Sequence, residues 1–414
     1  MFSKSHEDSQ LTLRITTAGE SHGPSLISVL EGLPAGVPVD AAFINRELER
    51  RQQGYGRGRR MQIEKDAAEI LSGVRGGQSI GSPIAMLIQN RDWKNWQEIM
   101  DPALRDGERS TPRGAAPARK RVVTRVRPGH ADFSGMLKYD RADGRDILER
   151  ASARETTARV ASAAICKRFL QEFGIRIGSH VIHLGGFDAA RPATMPEDIN
   201  AVADESPVRM LDRSIESKVI ERIDAVKREG NTLGGICEVV CDGAPVGIGS
   251  HVSWERKLDG RIAQAMMSIP AVKAVEIGLG FEGSRKLGSE VHDEIDPRPG
   301  SPLTGHVKRR TNRAGGLEGG MTNGEPIVVK VGMKPISTLM SPLATVDLAT
   351  GESAEAVAER SDVTAVPAMG VIAEAMLAFV VADAMLEKFG GDSLTDTLRG
   401  YSAYIGRIAA RDGR

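Results

Sequence analysis

Two histidines stand in short turns where a side chain could exchange protons with a bound molecule. His22 belongs to the loop TAGESHGP at 17–24, and His130 belongs to the turn RPGHAD at 127–132. Glycine and proline shape such turns and let the backbone approach a ligand closely. An imidazole changes charge near neutral pH, which suits it to acid–base chemistry. A loop histidine is more often a surface residue, so the residues around His22 and His130 determine whether either is catalytic.

Several arginines occupy helix ends or Gly/Pro turns, from which a guanidinium can reach a ligand. They are Arg51, Arg57, Arg127, Arg154 and Arg360. The planar fork of a guanidinium binds carboxylate and phosphate groups through paired hydrogen bonds. Such forks beside two turn histidines predict a pocket for a small substrate that carries several negative charges.

The stretch 122–173 is the part of the chain best suited to position these groups. Ser152 and Glu155 have the S-x-x-E spacing of a capping box, so a helix is predicted to begin here. Apolar residues then recur at helical spacing until the next glycine, which is predicted to end the helix. The positive N-terminal end of this helix, flanked by Arg150 and Arg154, would favour anions.

The rest of the chain alternates between strand and helix patterns without a low-complexity linker. Strands are predicted at 11–16, 69–74, 83–89, 274–277 and 326–333, and within 25–40, 174–187 and 231–249; helices are predicted at 40–54, 214–229 and 257–269, with a long apolar helix after Asp362. Residues 91–121 lack apolar periodicity and are predicted to form a long functional loop, and 191–212 a surface connection. Asp362 could serve either as the N-cap of the last long helix or as a proton-transfer group.

Composition excludes several classes of protein. Lys+Arg and Asp+Glu balance at 55 each, which argues against a general polyanion binder. Three cysteines are too few for a disulfide scaffold and are interpreted as core thiols of a reducing compartment. The start lacks the apolar core of a secretory signal, and Glu374 and Asp383 interrupt the most apolar segment, 363–386. A buried core helix and a cytoplasmic location are therefore expected.

Three other motifs predict sites only weakly. GLGFEG at 278–283 matches G-x-G-x-x-G after a strand, but no helical pattern follows, as a dinucleotide fingerprint requires. His180 and His183, three apart on a strand, would lie on opposite faces rather than share a metal. The loop GYGRGRR at 54–60 could bind RNA, but its single tyrosine offers little stacking.

Seven ordered blocks resemble the signature segments of chorismate synthases. They are TAGESHG (17–23), RRQQGYGRG (50–58), RPGHAD (127–132), ERASARET (149–156), TNRAGGLEGGMTNG (311–324), MKPIST (333–338) and RSDVTAVPA (360–368). Because the blocks extend from near the N-terminus to the last long helix, the resemblance covers nearly the whole chain. It is far more specific than any single motif above.

The resemblance implies an α/β fold of mixed helices and strands, in which one large domain sandwiches helices between antiparallel sheets. Residues 1–10 would be an N-terminal extension, and 11–414 would form the single catalytic domain. The family converts 5-enolpyruvylshikimate 3-phosphate to chorismate and phosphate by an anti 1,4-elimination, the last step of the shikimate pathway. It uses reduced FMN, with NADPH as a possible reductant, and a cytoplasmic homotetramer without nucleic-acid or membrane partners is implied.

The resemblance also assigns roles to residues. His22 would be the acid at the phosphate oxygen, His130 would stabilise or protonate the flavin near N1, and Asp362 would work beside flavin N5 as the substrate hydrogen leaves. Arg51, Arg57, Arg127, Arg154 and Arg360 would hold the two carboxylates and the phosphate of the substrate. Flavin contacts would come from Arg150, Ala151, Ser152, Pro270, Ala271, Gly319, Lys334, Pro335, Ile336, Ser337, Thr338 and Arg360, and no metal is expected.

Two alternatives remain open on the sequence. Another FMN-dependent oxidoreductase, such as a flavin reductase, could use the flavin segments alone. A non-enzymatic RNA-binding protein could use the basic stretches 50–60 and 105–127.

Overall fold

The computed structural model describes residues 12–58, 64–103, 122–297, 300–357 and 361–410. Within these residues the longer strands form two antiparallel sheets, and helices lie between them. The α-helices are α1 (Ala41–Gln52), α2 (Asp132–Tyr139), α3 (Arg145–Ala151), α4 (Thr156–Gln171), α5 (Ile199–Ala203), α6 (Glu216–Arg228), α7 (Leu258–Met267), α8 (Gly288–Val291), α9 (Val366–Phe389) and α10 (Leu394–Ala409).

The first sheet contains β1 (Arg14–Ala18), β2 (Ser25–Glu31), β3 (Ala68–Ile70) and β4 (Ile84–Gln89) in the order β1-β2-β4-β3. The second contains β5 (Arg176–Leu184), β6 (Phe187–Asp188), β7 (Gly235–Asp242), β8 (Val272–Ile277) and β9 (Ile327–Met333) in the order β8-β9-β7-β5-β6. Short two-stranded pairings join Val74–Arg75 with Gln78–Ser79, Ile295–Asp296 with Lys308–Arg309, Leu317–Glu318 with Met321–Thr322, and Ala344–Val346 with Ser353–Glu355.

Alternating burial on the strands explains why each sheet packs on the helix layer. On β2 the side chains of Leu26, Ser28 and Leu30 are fully buried, as expected for one face of a strand turned toward the core. Ser28 is polar, but its hydroxyl donates to Ala158 O of α4 at 2.7 Å, so its burial carries no unpaired group. The sheet is therefore fixed to α4 by both apolar contact and a hydrogen bond.

The helix α9 lies in the centre of the molecule, against α1, α4, α7 and the strands β5 and β7. A side chain at Gly370 would come within 2.9 Å of Ser179 Oγ, which shows how closely α9 approaches β5. Cys237 on β7 contacts this helix through Val366 O, and burial raises the pKa of its thiol to about 12. The prediction that the cysteines are core thiols is confirmed, since all three are free and buried.

One helix of the described residues, α9, is long and apolar enough to cross a membrane. However, 94% of its most apolar window is buried inside the protein, as in the core helix that the sequence predicts. Glu374, at the middle of α9, is paired with buried cations: it accepts hydrogen bonds from Arg50 at 3.0 Å, Lys167 at 2.6 Å and Arg209 at 3.1 Å. Burial alone would raise the pKa of Glu374, but these three charges hold it well below its usual range.

The structure corrects the predicted start of α4. Ser152 caps a short 3-10 helix, Ala153–Glu155, through its hydroxyl and the Arg154 N–H, and α4 itself begins at Thr156. Glu155 does not close a capping box. Its carboxylate accepts hydrogen bonds from Thr17 and Arg159 instead. The Arg159 guanidinium also neutralises the charge of this carboxylate, which a backbone N–H could not do.

Candidate active site

A cavity of about 600 Å³ opens where loops from distant parts of the chain meet. Its walls come from the segments 21–22, 127–131, 148–153, 267–273, 333–338 and 361–365. Such a volume lies within the range of about 300–1,000 Å³ typical of small-molecule sites. Predicted residues that line it are His22, Arg127, His130, Ala151, Ser152, Pro270, Ala271, Lys334, Ile336, Ser337, Thr338 and Asp362.

A second cavity of about 600 Å³ lies over β5 and β7 and contains none of the predicted residues. Its charged lining is largely paired within the protein: Arg50 and Lys167 both bind Glu47, and Arg176 binds Glu197. A site built to hold an anionic ligand needs cations that are not already neutralised. The first cavity is therefore the better candidate.

His22 is held against the cavity wall by α3. Its Nδ1 lies 2.9 Å from the carboxylate of Glu149, which also accepts the His22 backbone N–H at 2.8 Å. The imidazole stacks on Trp96 with ring centroids 3.7 Å apart. Burial alone would raise the pKa of Glu149, but hydrogen bonds and charge from His22, with Arg145, hold it below its usual value. The carboxylate is therefore ionised beneath the histidine.

His130 is supported in a similar way on another wall. Its Nδ1 lies 2.5 Å from Asp132, and Arg127 donates to the same carboxylate from Nε at 2.8 Å. Burial opposes ionisation of Asp132, but the hydrogen bonds from His130 and Arg127 dominate and place its pKa well below the usual range. Arg127 also donates from Nη1 to Thr338 at 2.9 Å. It therefore fixes the His130 turn and the 333–338 segment to each other.

Two predicted substrate arginines lie behind the cavity lining rather than in it. Arg154 is occupied by protein acceptors: its guanidinium donates to Asp66 at 2.5 Å and to Asn90 at 2.9 and 3.0 Å. Arg51 donates to Thr156 Oγ1 at 3.0 Å and to Ala153 O at 2.8 Å. Ala153 lines the cavity, so Arg51 lies directly behind its wall; Arg154 and Arg57 are also absent from the lining.

Arg51 is the less satisfied of the two. Its buried Nη1 makes no hydrogen bond within the described residues, and the nearest carboxylate oxygen, on Asp66, is 3.7 Å away. Burial lowers the pKa of Arg51 to about 9, with Arg154 and Arg57 acting in the same direction against Asp66. A buried cation of this kind is stabilised by an incoming anion.

Arg57 and Asp362 form an ion pair, Nε to Oδ2 at 3.2 Å, and Asp362 Oδ1 accepts the Gly58 N–H at 2.6 Å. The interpretation of Asp362 as the N-cap of the long apolar helix, α9, is wrong. That helix begins at Val366 without a side-chain cap, and the carboxylate instead holds the turn at 54–58. Arg360 lies outside the described residues, so its predicted role stays a prediction.

The predicted flavin segments are only partly brought together. Lys334 donates from Nζ to Gly129 O at 2.5 Å, which places it beside the His130 turn. Gly129 has φ +76°, which favours glycine, and a Cβ there would lie 3.2 Å from that ammonium, so a larger residue would also press on Lys334. Arg150, Pro335 and Gly319 do not line the cavity. Arg150 donates to Thr17 and Gly19 O, and Gly319 lies in the hairpin turn between Leu317–Glu318 and Met321–Thr322.

Sequence reasoning missed the groups that hold these residues in place. Glu149 supports His22, Asp66 and Asn90 hold Arg154, and Lys273 lines the cavity beside Lys334. Glu149 had one local signal, its position four residues after Arg145, which donates to it at 2.9 Å. Asp66 and Asn90 had none, because their contact with Arg154 joins positions 88 and 64 residues apart.

Within the described parts of the chain, no group of three or more His, Cys, Asp or Glu side chains could hold a metal ion. The 278–283 motif forms a 3-10 helix, Gly280–Arg285, after β8 rather than the α-helix that a dinucleotide site needs. Most of the basic stretch 105–127, proposed for the RNA alternative, lies outside the described residues.

Comparisons with known proteins agree with the arrangement of these segments. The sequence profile of the family described as chorismate synthase matches residues 13–386. A chorismate synthase from Symbiobacterium thermophilum is 54% identical over 400 residues, covering 96% of this chain and 100% of that protein. One from Rhodococcus opacus is 52% identical over 404 residues, covering 97% and 100%.

A solved structure described as the crystal structure of chorismate synthase superposes with a TM-score of 0.75 at 42% identity, covering 96% of this chain and 98% of that one. This match confirms the predicted α/β fold of helices between antiparallel sheets. Profile, relatives and structure each cover nearly the whole chain, so the cavity with its two supported histidines is found in a member of the chorismate synthase family, a family of lyases.

Proposed function

We propose that this chain converts 5-enolpyruvylshikimate 3-phosphate to chorismate and inorganic phosphate by an anti 1,4-elimination, with reduced FMN bound in the same cavity. The observation that carries the proposal is the convergence of two carboxylate-supported histidines on a cavity backed by buried arginines. The substrate carries two carboxylates and a phosphate. Arg51, with an unbonded Nη1, and Arg57 are the cations best able to receive them.

The residues present fit a flavin mononucleotide. The cavity has room for one, and Ser337, Thr338 and Lys334 bring hydroxyl groups and an ammonium to one wall. Burial, with the charge of Lys273, lowers the pKa of Lys334, so an anionic phosphate nearby would stabilise the charged form of that lysine. Ala271 in the same wall has φ +67°, a backbone conformation that fixes the Pro270–Val272 turn. Reduced FMN, when bound, supplies an electron to the substrate transiently and takes it back, so the reaction has no net redox change.

The chain itself then handles two protons. His22 donates one from its imidazolium to a phosphate oxygen as the carbon–oxygen bond breaks. Asp362 receives the proton released when the carbon–hydrogen bond breaks; one electron of that bond completes the new double bond, and the other would replace the electron that reduced FMN had lent. For this Asp362 must leave its pair with Arg57, and a substrate anion that binds Arg57 would release it. His130, held by Asp132, would stabilise or protonate the flavin near N1.

The family resemblance further supports a cytoplasmic homotetramer and leaves open whether NADPH reduces the flavin on this chain or elsewhere. The location, the homotetramer and the use of NADPH are proposals that follow from the resemblance, and none of them affects the chemistry of the cavity.

An anaerobic incubation of the protein with reduced FMN and 5-enolpyruvylshikimate 3-phosphate tests the proposed activity. Release of one phosphate per substrate and a new diene absorbance, with the flavin still reduced at the end, are expected. A flavin reductase would release no phosphate in this incubation and would oxidise NADPH when NADPH and oxidised FMN are supplied instead, and an RNA-binding protein would do neither. Either of those outcomes in a protein that binds FMN or RNA would overturn the proposal.

A further inference from the structure

Four side chains around His22, including its own, contact one another in a ring. Glu149 contacts the imidazole Nδ1 at 2.9 Å, Arg145 donates to Glu149 at 2.9 Å, the Arg145 guanidinium lies 5.1 Å from the Trp96 ring centre, and Trp96 stacks on His22. Glu149 is 1% exposed and Arg145 6% exposed at the side chain. Ser21 N also donates to Glu149 O at 2.9 Å, so both the backbone and the side chain of Glu149 hold the 21–22 turn.

We propose that Glu149 is the positioning residue that fixes the tautomer of His22, so that Nδ1 keeps its proton and Nε2 is the nitrogen that exchanges a proton with a molecule in the cavity. The carboxylate is ionised and accepts hydrogen bonds only, so the ring nitrogen facing it must carry a proton. Stacking on Trp96 restricts the imidazole plane, and Arg145 keeps the carboxylate in place. As acid for the departing phosphate, a role that rests on the proposed function, His22 would give up the Nε2 proton alone.

The hydrogen-bond arithmetic at Glu149 makes the tautomer testable. Among the described residues, its two oxygens receive three different donors: the His22 backbone N–H, His22 Nδ1–H and Arg145 Nη1. A glutamine in its place has one acceptor oxygen and an amide group that donates. In Glu149 the backbone N–H binds Oε2 and the guanidinium binds Oε1, so the glutamine NH2 would face one of these donors in either orientation of the amide. His22 Nδ1 is 2.9 Å from both oxygens and is the group that can accept from this NH2, by moving its own proton to Nε2. Glu149→Gln is therefore expected to invert the His22 tautomer while retaining the shape of the site.

Nitrogen NMR of protein labelled with ¹⁵N only in histidine measures the tautomer directly, with the signal assigned through a His22→Gln variant. In the wild type at high pH, His22 is expected to show a protonated Nδ1 and an unprotonated Nε2; in Glu149→Gln the two should exchange. Asp146→Asn is the matched control, because Asp146 lies on the same helix but forms an exposed pair with Arg141. It should leave the His22 signals unchanged.

A wild-type His22 with the proton on Nε2 would overturn the inference, and this measurement needs neither a Glu149 variant nor substrate. An unchanged tautomer in a folded Glu149→Gln protein would overturn it as well. In the anaerobic assay, kcat of Glu149→Gln should fall by about 10²- to 10⁴-fold, as expected for a histidine in the wrong tautomer, with KM changed much less. If the wild type proves inactive in that assay, the proposed function fails while the tautomer result stands.

Discussion

At the scale of single residues, the cations of the cavity differ in how completely the protein already neutralises them. Arg154 has short contacts to Asp66 and Asn90, and Arg127 to Asp132 and Thr338. Arg51 retains a buried nitrogen without a hydrogen bond inside the described residues. Of Arg51 and Arg154, Arg51 is therefore the one with unused hydrogen-bonding capacity, a distinction that the sequence positions could not make.

Arg51→Ala should weaken binding of the enolpyruvyl substrate strongly, because a substrate anion would then be buried without its partner. The expected cost is about 2–5 kcal/mol, or roughly 30-fold or more in affinity. Arg51→Lys should recover only part of it, since a single ammonium cannot reproduce the guanidinium fork. Isothermal titration with substrate measures both, and Arg176→Ala, which removes a half-exposed arginine from an ion pair with Glu197, is the control. Normal substrate affinity in Arg51→Ala would remove Arg51 from the site.

Asp362→Asn separates two roles of this residue: anchoring the turn at 54–58 and taking up a proton. An asparagine oxygen can still accept the Gly58 N–H, so the turn at 54–58 should keep its place. An amide cannot take up a proton, so turnover should fall by about 10²-fold or more. Thermal unfolding and anaerobic turnover test these expectations, with the exposed Asp188→Asn as the control. Near-normal turnover in a stable variant would reduce Asp362 to an anchor for the turn.

At the scale of elements, local pattern predicted most strands and helices but not how their ends are used. The helix α1 begins after Asp40 as predicted, because that carboxylate accepts the Ala42 N–H. At the start of α9 the same reasoning fails: Pro367 fits the first turn of a helix, while Asp362 is drawn away by Arg57 and Gly58. A cap is a local contact and a loop anchor is a distant one, so only the first is visible in sequence spacing.

The connection 191–212 shows the same limit more strongly. It was expected at the surface, yet Arg209 is 3% exposed and donates to Glu374 of α9. Val208 and Met210 beside it are fully buried. An arginine between two apolar residues does not show the periodicity from which burial is predicted, and its partner is 165 residues away in sequence. The position of such a segment depends on the central helix that it binds.

Glu374→Gln should destabilise the protein by about 3–5 kcal/mol, because removing one charge leaves Arg50, Lys167 and Arg209 buried with too little compensation. Since folding lowers the pKa of Glu374, its contribution is present above the unfolded-state value near 4.5 and is lost as pH falls further. Urea unfolding of wild type and variant between pH 7 and acid measures both effects.

The difference in unfolding free energy between the two proteins should shrink as pH falls below that value. Glu387→Gln, on the same helix but partly exposed and paired with Arg256 and Arg261, is the matched control. Its cost should remain within about 1 kcal/mol, as is usual for pairs that water can reach. Equal costs for the two variants would contradict the role given to burial.

At the scale of the whole molecule, the sequence supported a mixed α and β fold, while the arrangement in layers followed from the family resemblance. Periodicity gives the type of an element but does not give the order of strands in a sheet. In the order β8-β9-β7-β5-β6, for example, β9 pairs with β7 although Ile327 and its partner Cys241 are 86 residues apart in sequence. The cavity likewise draws on six separate segments, so its geometry could not be assembled from any one of them.

The proposed homotetramer makes a prediction about apolar residues on the surface. Val252 and Trp254 are 75% and 79% exposed in the single chain, and large exposed apolar side chains close together often mark protein contacts. Sedimentation velocity should give a mass four times the 44.4 kDa of one chain. Trp254→Glu should shift the protein toward smaller species, whereas Asp188→Asn should not. A wild-type monomer at micromolar concentration would refute the tetramer.

The central position of α9 has a consequence for synthesis. The helix is buried along most of its length and is encoded near the end of the chain, although it packs against α1, α4 and strands that are translated long before it. At about 5–20 residues per second, the ribosome needs roughly 20–70 s to make the 365 residues that precede this helix. During that time the second sheet lacks the helix that packs on its strands β5 and β7. Nascent chains that stop before residue 366 should therefore remain sensitive to protease and bound by chaperones, and protection should appear only once residues to 389 have left the ribosome.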